Sequence, residues 1–148
     1  MLVVDVAERG QAVSITGGSA GGADHILAGL MLKEHGVSAQ EIASKLNYIP
    51  YSGGGESLAA LLGGKVDAGI SGVGEYAEQV KAGKLRALAV SGEEASPALA
   101  DTPTLQESGL DLVLTNWRGV VAPGNIDEAK ADELVTLMED LHGTNAWA

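Results

Sequence analysis

Ser19 is the first residue in this chain whose surroundings suggest chemistry. It lies in Gly17-Gly18-Ser19-Ala20-Gly21. That run matches the Gly-x-Ser-x-Gly pattern in which a sharp strand-to-helix turn exposes a nucleophilic serine. A serine hydrolase would also need an acid followed by a histidine, which leaves His35 or His142 for the base. The same stretch supports a second chemistry. Val13 and Ile15 alternate with Ser14 and Thr16, the period of a strand. Ile26, Leu27, Leu30 and Met31 then recur at helical spacing, in a helix that starts at about Gly22. Four glycines, a serine and an alanine lie between. With no bulky side chain in the turn, the first N–H groups of the helix are open to a ligand. They have no partner inside the helix and sit at the positive end of its dipole. Such a turn can seat an anion, carboxylate included. It can equally be a tight connection that binds nothing.

Other motifs fall away. Gly64-Lys65 is followed by Val66, where a phosphate loop needs Ser or Thr for magnesium. Ser19 occupies a glycine position of the dinucleotide pattern. His25, His35 and His142 are scattered, with no metal spacing. His25 lies one turn into the first long helix, where it either donates to a carboxylate or pins the turn. Arg86 reads as structural or solvated, and Glu93-Glu94 as a solvated face. Arg118 interrupts an apolar stretch in Trp117-Arg118-Gly119 and needs a carboxylate partner, from protein or ligand.

The elements that must position these residues alternate. Residues 2–9 read as the last turns of a helix entered midway, as if the chain were cut from a longer protein. Strands are predicted at 12–16, 46–51, 66–70 and 85–90. Helices are predicted at 22–36, 55–63 and 75–82, with a connection of one helical turn at most over 37–44. Leu58, Leu61 and Leu62 form the expected inward face of the second helix. Thr104 caps a short turn ended by Gly109. Leu112–Val121 reads as a long apolar strand, and 127–142 as an amphipathic helix with Leu134, Leu137, Met138 and Leu141 on one face. Alternation of this kind predicts an α/β fold with a mostly parallel sheet flanked by helices. Gly17–Gly22, Ser52–Gly55 and Ser71–Gly74 then form three glycine-rich turns along one ligand-binding edge, provided the strands are parallel.

Composition sets bounds. The chain has 148 residues, 45% of them hydrophobic, enough for one domain with a sizeable core. It has no Phe and 3% aromatics, so aliphatic side chains fill that core. A net charge of −11 argues against nucleic acid and anionic membranes as partners. It leaves room for a small anion held by backbone N–H groups. There is no Cys, no apolar run of about 18 residues, and no signal-peptide pattern in Met1-Leu2-Val3-Val4-Asp5.

The chain resembles the TctC (Bug) family of solute-binding proteins from tripartite tricarboxylate transporters. The resemblance rests on residues 17–25 (GGSAGGADH), 48–56 (YIPYSGGGE), 61–69 (LLGGKVDAG), 82–90 (AGKLRALAV), 101–109 (DTPTLQESG) and 116–123 (NWRGVVAP). It implies a type II periplasmic-binding-protein-like lobe, and a periplasmic protein that closes on a carboxylate without catalysing a reaction. Residues 1–115 would be the second of two lobes. Residues 116–148 would be a crossing strand, with Trp117-Arg118-Gly119 as a hinge, and a helix belonging partly to a first lobe absent here. The implied ligand is a di- or tricarboxylate such as citrate, delivered to membrane transporter subunits. The implied ligand-binding residues are Ser19, Gly21, Gly22, His25, Tyr51, Ser52, Gly53, Gly54 and Ser71, with no cofactor or metal. The apolar face of the last helix and Trp147 would pack on the missing lobe, which leaves self-association of this fragment as an alternative for that face.

Overall fold

The computed structural model describes residues 2–116 and 119–144. Its centre is β1 (Ser14–Gly17). β1 pairs in parallel with β2 (Asn47–Pro50) on one side, in the register Ser14↔Asn47 to Gly17↔Pro50. On its other side it pairs in parallel with β3 (Ala68–Gly69), through Ile15↔Ala68 and Thr16↔Gly69. The sheet order is therefore β2-β1-β3. A parallel strand covered on both faces is buried throughout, and Ile15, Thr16 and Gly17 are all buried. Thr16 is 0% exposed. Its hydroxyl donates to the Ile49 carbonyl at 2.9 Å, which satisfies the buried oxygen and ties β1 to β2.

Helices fill the connections. They are α1 (Leu2–Arg9), α2 (Ala23–Glu34), α3 (Ala39–Lys45), α4 (Gly54–Leu62), α5 (Val73–Lys81) and α6 (Glu128–His142). Val3 and Val6 of α1 join Val13, Ile15, Leu32, Val37, Ala68, Leu105 and Leu110 in one core cluster. α2 ends where Gly36 enters the left-handed region at φ 91°. The N–H of Val37 then donates to the Leu32 carbonyl at 3.0 Å and closes the last turn.

Several sequence expectations need correction. The 37–44 connection contains α3, a helix of 7 residues, because Ser38 and Glu41 form a reciprocal capping box at its start. α4 buries Ser57 and Ala60, while Leu62 stays 44% exposed. The small side chains let α4 approach the sheet closely. β3 is shorter than 66–70. Residues 85–90 form no strand beyond a single parallel bridge between Val90 and Thr104. They keep a strand's alternation of exposure. A groove of about 660 Å³, lined by both β3 and this segment, leaves that alternation without a neighbouring strand. The described part of 112–121 is likewise without a ladder, since Leu114 and Ser91 hold each other by two isolated hydrogen bonds. The Thr104 turn is capped as expected. Its hydroxyl accepts from the Glu107 N–H at 3.1 Å, and Glu107 accepts from the Thr104 N–H at 2.8 Å.

The chain divides into two compact units, residues 1–116 and 117–148. Within the second, Asp127 caps α6 by accepting from the Lys130 N–H at 2.9 Å. A largely apolar groove of about 780 Å³ is lined by Val120, Val121, Ile126, Leu134 and Met138. Val121 and Leu137 are 93% and 60% exposed. Trp117, Arg118 and Trp147 lie outside the described residues.

Leu32 is 2% exposed at the centre of the core cluster. Leu32→Ala should destabilise the chain by about 2–5 kcal/mol. Urea denaturation followed by circular dichroism checks this.

Candidate anion-binding site

Parallel pairing brings the C-terminal ends of β1, β2 and β3 to one edge of the sheet. Each strand there runs through a glycine-rich loop into a helix: β1 into α2, β2 into α4, and β3 into α5. The chain leaves β1 to one side to form β2 and later returns to its other side as β3. In open α/β sheets such a reversal marks the ligand crevice.

The helix starts at this edge differ from those elsewhere. The N-caps of α2, α4 and α5 are Gly22, Gly53 and Gly72, and none of the three has a capping side chain. α3, in the same unit, and α6, in the second unit, are instead capped by their own Ser38 and Asp127. A side-chain cap takes up an N–H group that the helix cannot satisfy. Where glycine stands in its place, those donors stay open at the positive end of the dipole. Among the described residues, no acceptor takes the N–H groups of Ser19, Ala20, Ala23, Asp24 or His25.

The loop after β1 is held by three side chains. Asp24 accepts from the Gly18 N–H at 2.8 Å. Tyr48, on β2, donates its hydroxyl to the Gly18 carbonyl at 2.9 Å. His25 Nδ1 accepts from the Gly21 N–H at 3.0 Å. The His25 ring stacks on Tyr48 with centroids 4.2 Å apart and planes 4° from parallel. The crowding excludes a side chain at Gly17. A Cβ there would meet the Tyr48 hydroxyl, Asp24 Cβ at 2.8 Å and the Ile70 carbonyl at 2.9 Å. The other two loops are also in contact. The Glu75 carboxylate of α5 lies against Gly54, leaving no space for a Cβ. Ser57 donates to the Gly54 carbonyl at 3.0 Å and shares a hydrogen bond of 3.0 Å with the Tyr76 hydroxyl.

Burial, with the nearby Asp24 charge and Tyr76 adding to it, pushes the Tyr48 hydroxyl up to about 12. Tyr76 is raised too, mainly by burial, with its bond to Ser57 opposing.

All nine residues singled out from the sequence lie on these three loops or the helix turns they enter, but their polar groups are differently engaged. Ser19 is exposed, with its N–H open. Gly21 and Gly22 give their N–H groups to His25 and to the Ser19 carbonyl. His25 pins the turn through Nδ1, so the neutral ring carries its proton on Nε2. The Tyr51 N–H extends the β1 pairing by donating to the Gly17 carbonyl at 3.0 Å. The Ser52 N–H donates to Glu56 at 3.2 Å, and the Ser71 hydroxyl donates to Glu75. Gly53 and Gly54 stand at the start of α4. The sequence reading did not single out Asp24, Tyr48 or Glu75. Their roles depend on contacts between elements. No residue other than glycine has a positive φ among the described residues, and no imidazole bonds the Ser19 hydroxyl there. His25, the histidine nearest to Ser19 in the sequence, bonds the Gly21 N–H instead.

Comparison with known proteins identifies the family. The profile of the tripartite tricarboxylate transporter family receptors, TctC, matches residues 9–146. The chain belongs to the TctC family. A UPF0065 protein of Agrobacterium vitis is 31% identical over 135 residues, covering 87% of this chain and 37% of its own length. The periplasmic binding protein BugD superposes with a TM-score of 0.78 at 26% identity, over 97% of this chain and 46% of that one. An R. palustris protein solved with adipate gives 0.80 at 22% identity, over 98% and 46%. The fold is thus α/β, with a parallel sheet flanked by helices, and is shared with solved periplasmic binding proteins. The chain spans less than half the length of these relatives.

Two outcomes are expected. Gly17→Ala should cost about 1–3 kcal/mol by overpacking, read from chemical denaturation. The raised Tyr48 favours the neutral hydroxyl in the fold. Its stabilisation is present below the ordinary tyrosine value near 10 and is lost as pH rises through about 12. The unfolding midpoint should therefore fall between those values, and Tyr48→Phe should reduce the fall in a pH series of thermal melts.

Proposed function

We propose that this chain is the ligand-gripping part of an extracytoplasmic solute-binding protein of a tripartite tricarboxylate transporter. It captures a small organic acid, a di- or tricarboxylate, in the periplasm and presents it to the membrane subunits of the transporter. It binds its cargo and does not transform it. Residues 1–115 act as one lobe. Residues 116–148 form the crossing segment and a helix shared with the other lobe.

One observation carries the reading: three glycine-headed helix N-termini, free of side-chain caps, open on one sheet edge. A carboxylate suits such a site because each oxygen accepts several N–H groups and the helix dipoles favour its charge. Family membership and the adipate in the R. palustris relative support the same class of ligand. The contacts are made by Ser19 and the first turn of α2, with Gly53 and Gly54 across from them. Tyr51, Ser52 and Ser71 line the same edge. Asp24, Glu56 and Glu75 occupy part of the donor set from within. The backbone N–H groups must therefore outweigh three nearby carboxylates, which favours a ligand with several acceptor oxygens over a lone carboxylate with two.

A single lobe supplies half of the contacts yet meets the whole cost of immobilising the ligand. This chain should bind citrate or adipate with a Kd of about 1 mM or weaker. In an amide NMR titration, saturable shifts are expected at Ser19, Ala20, Gly53 and Gly54. Equal shifts with an uncharged amide of the same size would overturn the reading.

A further inference from the structure

The Gly17–Gly21 loop is held from elements on either side of it. We infer that Asp24, Tyr48 and His25 are positioning residues of the anion site, a latch that fixes which loop N–H groups remain open. The inference rests on the carboxylate reading for its consequence and on geometry for its substance. Gly18 is held at both ends of its backbone. Its N–H goes to Asp24 at 2.8 Å and its carbonyl takes the Tyr48 hydroxyl at 2.9 Å. Two hydrogen bonds on one residue orient both of its peptide planes, because each plane is rigid. His25 repeats the device at Gly21, at 3.0 Å, and rests its ring on Tyr48. What lies between, Ser19 and Ala20, has N–H groups with no acceptor among the described residues.

Tyr48 is the member that joins elements. It sits on β2 in register with Ile15, yet its hydroxyl bonds the loop that leaves β1. The site therefore takes its shape from two neighbouring strands at once. The suppressed ionisation of Tyr48 agrees with this, since the hydroxyl stays a donor throughout the physiological range. Asp24 holds Gly18 but also brings a negative charge to the seat. Geometry and charge can be separated there, because Asn retains an accepting oxygen and loses the charge.

The test compares amide NMR spectra, hydrogen exchange and citrate titrations of the 148-residue chain and three variants: Tyr48→Phe, Asp24→Asn and Asp24→Ala. Tyr48→Phe keeps the ring and removes the hydroxyl. It should shift the amides of Gly18 to Gly21, speed exchange at Gly18 and Gly21 about tenfold, and weaken citrate about five- to tenfold. Its unfolding midpoint should move by no more than about 4 °C. Asp24→Asn should keep the loop amides near their wild-type positions and tighten citrate, whereas Asp24→Ala should release Gly18. A hydroxyl with only a structural role would lower the midpoint and leave loop amides and affinity alone. Loop amides and exchange unchanged in both Tyr48→Phe and Asp24→Ala would overturn the latch. If the wild-type chain shows no saturable response to citrate, the carboxylate reading fails, and the loop amides still decide the latch.

Discussion

Parallel pairing of β1 with a strand on each side is the constraint on which the rest of the structure depends. A parallel strand cannot return by a tight hairpin, so the chain must cross over through helices each time. Both crossovers, and the connection that leaves β3, begin at the same edge of the sheet and lead into a helix N-terminus. Two of the three positive helix ends are brought there by the crossovers, and α5 adds the third. Their convergence needs no basic side chain. A protein with a net charge of −11 can therefore hold a site suited to anions.

Glycine turns that topology into a site in two ways. At Gly17 the need is for space, because the Tyr48 hydroxyl, Asp24 and the Ile70 carbonyl meet where a side chain would begin. At Gly22, Gly53 and Gly72 the need is for donors left untaken. Glycine is an acceptable N-cap that contributes no oxygen of its own. Ser38, Thr104 and Asp127 show the alternative in the same chain, where other helical turns carry their own caps. The contrast separates helices that only pack from helices that also present donors.

The acidic residues of the edge have a double effect. Asp24 and Glu56 each reach back to the loop that precedes their helix and accept an N–H from it, and Glu75 takes the Ser71 hydroxyl in the same manner. This shapes the loops internally and stands in for the missing caps. It also concentrates negative charge at the edge proposed to seat the ligand. On that proposal, discrimination among acids depends on how many oxygens a ligand can place on the open N–H groups.

The amino-acid pattern by itself determined the α/β class, the strand–glycine–helix order at three places and the capped turn at Thr104. Periodicity, left-handed glycines and caps are local properties, and residues within a few positions of one another decide them. The recurrence of these units through 17–123 also carried the family. Where local and non-local requirements differ, the sequence misled. Residues 85–90 alternate like a strand, yet a strand exists only where a neighbour accepts its hydrogen bonds, and β3 does not lie against them. α4 reads as a leucine-faced helix, but close approach to the sheet selects its Ser57 and Ala60. The site divides in the same way. The three glycine-rich turns were legible because small residues before a helix leave its donors open wherever the helix lies. Tyr48 and Glu75 were not, because a tyrosine on β2 acts on a β1 loop and a glutamate on α5 acts on the start of α4. Only tertiary structure decided those pairings, since each joins residues that the chain brings together solely by laying its strands side by side.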